Sequence, residues 1–406
     1  MRRTKLIGLA LTLCVGLAVA GSAMAKNIKV GIVDTYSGPP SAYTNDVRDS
    51  FALQVEKINA AGGILGNQVE VITRDDKYKA DIALGEAKEL LIKEEVDILM
   101  GSINSAIALA ISDLCKKEKV PYIVSFSKSD NITGAKGHRY VFAVTENTAM
   151  IGKAGAEALA KKPYKNYWIA GDDYEYGHAV GGDVWAYLQK LRPDVKLLGE
   201  TWWKVGTPDF TSYITAIQAA KPDAVIVATG GAGCIPFLKA AKATGFAAQV
   251  PIFMHTATEL STLKAIGPDA PEGVMGTANY MFYYPDTQAN KDFVKEFKAK
   301  YNREPAVGAY YGYLAANFIK SAYAKAGKVD KEAFIDALEG MKVTGPLGEV
   351  EMRAFDHQAM LSMFMGVTKK VPDYPFLIAT EIVTVPGADA IPPIDVIKKA
   401  REKAQQ

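Results

Sequence analysis

Chemistry in this chain would have to come from a small set of polar residues placed where apolar runs end. Asp75-Asp76 and Asp172-Asp173 each follow a run that reads as a strand, a placement open to paired acid–base work but more often occupied by solvated loop acids. His138, His178, His255 and His357 are scattered. No G-x-S-x-G elbow, H-E-x-x-H pair, phosphate loop or Cys/His cluster occurs. The run TGGAGC at 229–234 superficially resembles a dinucleotide loop, but Pro236 stands where the third glycine belongs and no acid follows about 20 residues on. An enzyme is therefore the least favoured class, and no cofactor is expected. The segment MGSINSAIALAISD is more promising. A strand ends at Gly101, and a helix opens near Asn104 or Ser105, both good capping residues. Open amides, the positive helix end, Ser102 and the Ser105 hydroxyl could hold a carboxylate there, or Ser105 could simply cap its own helix. Ser127 and Lys128 close the next strand at the same edge.

The elements that position these residues alternate. Strand IKVGIV, a helix from about 46 to 60, VEVITR, helix 81–94, VDILMG, helix 105–117 and PYIVSF form one α/β series. After YVFAVT the rhythm restarts with helix 147–160, NYWIAG, helix 177–191, KLLGETWW, helix 210–220, DAVIVA, helix 235–243 and PIFMH. Helical segments 287–301, 305–326 and 330–340 follow, then EVEMRAF and MFMGVT as strands. The expectation is an α/β fold of two Rossmann-like lobes with the chain crossing between them near Thr145, Ala278 and Gly345. One lobe takes 26–145 and 279–345, the other 146–278 and 346–390, with 391–406 a polar helical tail.

Arg2, Arg3 and Lys5 precede the apolar run LIGLALTLCVGLAVA, and Ala23 and Ala25 give an A-x-A ending. Residues 1–25 therefore read as a secretory signal cleaved before Lys26, its apolar run too short to span a bilayer. Cys14 follows Leu13 and makes a poor lipidation site. Removing the three basic residues of this segment leaves 44 basic against 45 acidic residues, a balance of −1. That excludes an electrostatic case for nucleic acid or an anionic membrane surface. Cys115 and Cys234 fall in different lobes and are expected to stay thiols, since a bridge would jam a hinge.

Ser37-Gly38-Pro39, INAAGGILGNQVEVITRDD, GSINSA, VPYIVSFSKS, DYEYG, PDAVIVATG, DAPEGV and GPLGEVEMRAFDHQ, in this order and spacing, resemble the type I periplasmic binding proteins of ABC importers, most closely the leucine/isoleucine/valine-binding group. The resemblance implies two lobes joined by a three-stranded hinge, a ligand cleft between them, an inner-membrane permease as partner, periplasmic location and a monomer. It implies that Ser105 grips the ligand carboxylate, that Tyr43 lies over the ligand, that the backbone at Phe126 contacts it and that Tyr176 closes from the second lobe. A periplasmic sensor reporting to a receptor or regulator is the alternative role.

The chain also departs from that pattern. Lys128 stands where the amino-acid binders have threonine, and Thr256, preceded by His255, stands where they place the glutamate for the ligand ammonium. Gly230-Gly231 replace a tyrosine, which should enlarge the cavity. Tyr78 and Asn104 occupy the positions of the family's first-lobe disulfide. Lys128 without that glutamate favours a carboxylate lacking an amine, such as an aromatic or other hydrophobic acid. The other reading is a hydrophobic amino acid whose ammonium meets Glu259, Asp172 or Asp173.

Overall fold

A computed structural model describes residues 27–230 and 233–405; the expected signal, with Cys14 and the Ala23/Ala25 ending, lies outside them, as does Gly231. The first series gives strands β1 (Ile28–Asp34), β2 (Val69–Asp75), β3 (Ile98–Gly101), β4 (Tyr122–Val124) and β5 (Val141–Ala143). They form a parallel sheet in the order β2-β1-β3-β4-β5. The second series gives β6 (Asn166–Asp172), β7 (Lys196–Trp203), β8 (Ala224–Ala228), β9 (Ile252–Phe253) and β10 (Met275–Ala278). Then come β11 (Lys342–Gly345), β12 (Gly348–Glu351), β13 (Met363–Lys369) and β14 (Ile378–Val385). The second sheet runs β14-β13-β10-β9-β8-β6-β7, with β13 antiparallel to β10 and β14 antiparallel to β13.

Position in the sheet is written in the strand composition. The run AVIVA of β8 is buried on both faces, as a central parallel strand requires. KLLGETWW of β7 alternates exposed and half-buried residues up to Trp203, as suits an edge strand. In the first lobe, helix Ser41–Ala60 packs on helix Val307–Ala326 through a glycine seam. A Cβ on Gly308 would fall 2.5 Å from the Tyr43 carbonyl oxygen, and one on Gly312 2.3 Å from that of Val47. The helix expected from about 46 starts at Ser41, because its first turn carries Tyr43 and Thr44 into the protein rather than continuing an amphipathic stripe.

The expected third crossing lies later than Gly345. Gly345 pairs with Gly348 across the turn of the β11–β12 hairpin, so its glycine marks a turn and not a lobe change. Met352 bridges to Ala359 and Gln358 to Ala143 before the chain joins the second sheet at β13. The tail forms helix Ile394–Ala404, held by Arg401 bonds to the carbonyls of Thr133 and Gly134. No helix among the described residues is long and apolar enough to cross a membrane. Neither Cys115 nor Cys234 forms a disulfide.

Candidate functional site

The carboxyl ends of both sheets meet at a small cavity between the lobes. Tyr43, Tyr78, Ile103, Phe126 and Lys128 line it from the first lobe, and Tyr174, Tyr176, Gly230, Thr256 and Glu259 from the second. Local chemistry explains the approach of each wall. Asn104 caps helix Ser105–Glu118 by accepting from the amides of Ala106 at 2.9 Å and Ile107 at 3.1 Å. Asp34, at the end of β1, takes the Ile103 amide at 2.8 Å and so pins the turn before that helix. Phe126 leaves β4 and stands edge-on to the rings of Tyr43 and Tyr311.

The lobes are closed on one another. The Tyr43 hydroxyl lies 3.0 Å from Thr262 Oγ1 and 3.2 Å from Cys234 Sγ. Ser129 Oγ and Asn131 Nδ2 donate to Glu175 Oε1 at 2.6 and 2.7 Å. Tyr78 and Tyr174 face one another across the cleft, each lining the cavity. At the rim Lys264 pairs with Glu304 at 2.7 Å.

Lys128 is not a spare cation. Its Nζ lies 2.7 Å from Glu146 Oε1, 2.9 Å from Glu259 Oε1 and 3.0 Å from His255 Nε2, and all four side chains are buried. Burial alone would lower the Lys128 pKa, but Glu146 and Glu259 hold it above its ordinary value. Burial likewise pushes the Glu146 carboxyl up, yet Lys128 and His255 keep it well below the usual carboxylate range. Glu146 Oε2 accepts from Asn279 Nδ2 at 2.7 Å, from Thr145 Oγ1 at 3.2 Å and from the Tyr311 hydroxyl. Glu146 and Asn279 follow β5 and β10, on the first two crossings, so the cluster is fastened to the hinge. The ammonium is thus already met by two carboxylates of the protein itself. This corrects the expectation that Lys128 adds cationic character to the cleft.

The other expected residues divide into two groups. Tyr43, Phe126, Lys128, Tyr176, Gly230 and Thr256 line the cavity. Ser102, Ser105, Ser127 and His255 are buried just behind it. Ser105 Oγ accepts from the Ser129 amide at 3.3 Å, and Ser127 Oγ donates to the Ser102 carbonyl at 2.6 Å. Gly230 does not enlarge the space. The point where its Cβ would lie is 3.0 Å from Tyr176 Cε1, so the Tyr176 ring fills the room a side chain at 230 would take.

Of the three acids weighed for a ligand ammonium, Asp172 is consumed inside the second lobe, accepting from Trp203 Nε1 at 2.8 Å and Thr229 Oγ1 at 2.5 Å. Asp173 is exposed beside His178, at 2.8 Å. Glu259 alone of the three reaches the cavity. Its Oε2 and the Tyr176 hydroxyl are buried without a hydrogen-bond partner among the described residues. Sequence reasoning passed over Glu146 and Tyr174 and noted Tyr78 only at the absent disulfide; the DYEYG segment gave the one signal for Tyr174.

The family model described as "Periplasmic binding protein" matches residues 27–371. A Leu/Ile/Val-binding protein homolog 4 of Brucella abortus is 25% identical over 94% of this chain and 95% of its own length. The leucine-, isoleucine-, valine-, threonine-, and alanine-binding protein of Pseudomonas aeruginosa is 26% identical over 86% of this chain and 92% of its own. Among solved structures, an ABC-transporter solute binding protein of Rhodopseudomonas palustris, in complex with 3,4-dihydroxy benzoic acid, superposes with a TM-score of 0.80 at 23% identity, covering 89% of this chain and 98% of that one.

Proposed function

We propose, for a chain that belongs to the periplasmic binding protein family, that it is the extracytoplasmic solute-binding component of an ABC importer, working as a monomer exported from Lys26 onward. Its lobes close on a small carboxylate-bearing solute that also carries a hydrogen-bond donor, and a permease receives the closed form. The family's members bind rather than transform, and the relatives above give the sensor role no support. The observation that carries the ligand class is the open Glu259 Oε2 beside the Tyr176 hydroxyl. A buried polar atom left unpaired costs about 1–3 kcal/mol, which a donor on the solute removes. An open carboxylate oxygen suits the ammonium of a hydrophobic amino acid. For the solute's carboxylate the start of helix Ser105–Glu118 is the natural seat, with the Ser105 hydroxyl retaining its own proton to donate.

A second reading keeps the donor and changes the scaffold. Five aromatic rings, those of Tyr43, Tyr78, Phe126, Tyr174 and Tyr176, wall the cavity, which favours a flat hydroxylated aromatic acid whose phenol meets Glu259. Thermal unfolding of the protein from Lys26 against leucine-like and aromatic amino acids, hydroxybenzoates and benzoate separates the two. A ligand at 100 times its dissociation constant adds about 2.7 kcal/mol, about 5–10 °C for domains of this size. Shifts with amino acids support the first reading, and shifts with hydroxybenzoates alone support the second. A shift with benzoate as large as with its hydroxylated forms removes the donor requirement, and silence across the panel removes the ligand class.

A further inference from the structure

Glu146, His255 and Glu259 each turn one ligand atom toward a common point, and those atoms lie within 4.8 Å of one another in full burial. Two carboxylates and an imidazole at that spacing are a donor set that divalent metals accept. The point is taken by this chain's own ammonium, with Lys128 Nζ at 2.7, 2.9 and 3.0 Å from the three atoms. Most of the socket is held without Lys128. Thr145, Asn279 and Tyr311 fix Glu146 through its other oxygen. Thr277 fixes His255 through Nδ1 at 2.6 Å.

We infer that Lys128 is a specificity-determining residue, the built-in cation of a socket that would otherwise draw a cation from solution. Filling the socket from within leaves Glu259 Oε2 as an open acceptor on the cavity. The bound solute then supplies a donor to that oxygen, and a metal ion is shut out of the socket. This rests on the reading of the cleft as the solute site.

The test uses Zn²⁺ and n-butylammonium, the latter replacing the deleted side chain, with the full exported chain, its Lys128→Ala variant and the Lys128→Ala/Glu259→Gln double variant. Lys128→Ala should gain a rise in melting temperature of about 5 °C or more at a hundredfold excess of Zn²⁺ over its dissociation constant. A one-site calorimetric isotherm should accompany it, and both should be missing from the parent and the double variant. A folded Lys128→Ala protein that answers neither probe overturns the inference, as does a parent that binds Zn²⁺ equally well. Should the variant not fold unaided, recovery of native circular dichroism on refolding with either cation supports the inference, and no recovery overturns it. The solute panel reads the parent protein alone, so its failure and the failure of this test are separate results.

Discussion

Lys128 Nζ lies 2.9 Å from Glu259 Oε1 although the two residues stand 131 positions apart and in different lobes. The pair exists because the lobes are closed. Opening the cleft carries Glu259 away with the second lobe, while Glu146, on the first crossing, stays within reach of Lys128. Closure thus returns a second carboxylate to a buried ammonium, and the solute's donor completes the arrangement at the other Glu259 oxygen. Breaking a buried pair by removing one partner is more disruptive than replacing both, so a change at Glu259 acts on Lys128 as well as on the solute.

Glu259→Gln keeps an acceptor oxygen and removes the negative charge. Hydrogen bonds to charged groups contribute about 1.5–3 kcal/mol, so affinity for a solute that brings an ammonium should fall about 10- to 150-fold. A phenolic solute should lose less, since its donor is neutral. Titration calorimetry on both solute types reads the difference. An unchanged amino-acid affinity would mean that the ammonium is met elsewhere.

This cluster marks where sequence reading reached its limit. The two α/β series, the strand KLLGETWW and helices such as Gln288–Tyr301 follow from periodicity and capping, which are local. The cavity-facing positions of Tyr43, Phe126 and Tyr176 came from resemblance in order and spacing. The partners of Lys128 were hidden, because Glu146 looks like an ordinary acid after a strand and only the crossing geometry brings it within reach. Gly230 misled for a related reason. A missing side chain reads as space, but whether a neighbour's ring fills it depends on packing between elements distant in sequence. Strand Ile378–Val385, at the sheet's edge, was not expected from the sequence, although it pairs with the expected strand MFMGVT.

Glu175 reports on the closed state without lining the cavity. It accepts from Ser129 and Asn131 across the cleft while half-buried. Glu175→Ala should shift the unliganded protein toward open forms and lower solute affinity about 5- to 30-fold, the effect of roughly 1–2 kcal/mol of differential stability. Small-angle scattering should show a larger unliganded radius of gyration that returns to the parent value on saturation. Parent affinity combined with a parent scattering curve would show that these bonds contribute nothing to closure.

Gly230 sets where the Tyr176 ring can sit. A Cβ there would lie 3.0 Å from Tyr176 Cε1, closer than the ring tolerates without moving. Gly230→Val should displace the phenol from Glu259 and weaken binding of any solute that uses both groups, by about tenfold or more. Fold stability should fall as well, because the added atoms meet the Tyr176 ring rather than open space. If Gly230→Val binds the best solute as tightly as the parent, the Tyr176 hydroxyl takes no part in recognition.

The same strand edge holds a proton that should be visible in the pH dependence of stability. Asp34 is buried, its Oδ1 takes the amides of Thr35 at 2.9 Å and Ile103 at 2.8 Å, and its Oδ2 has no partner among the described residues. Burial, reinforced by the neighbouring Asp76, raises its pKa from 3.8 to about 8. Between those values the folded protein holds a proton that the unfolded chain releases, so the Asp34 contribution is complete below pH 4 and is lost as pH rises toward 8. Asp34→Asn keeps the acceptor for both amides and titrates nowhere in that range. The variant's stability relative to the parent should therefore climb as pH is raised from 4 to 8, by at most about 1.4 kcal/mol per pH unit, and level off above. Denaturant midpoints for both proteins across that range measure it. A difference that stays flat from pH 5 to 8 would place the Asp34 pKa in the ordinary carboxylate range and require a partner for Oδ2.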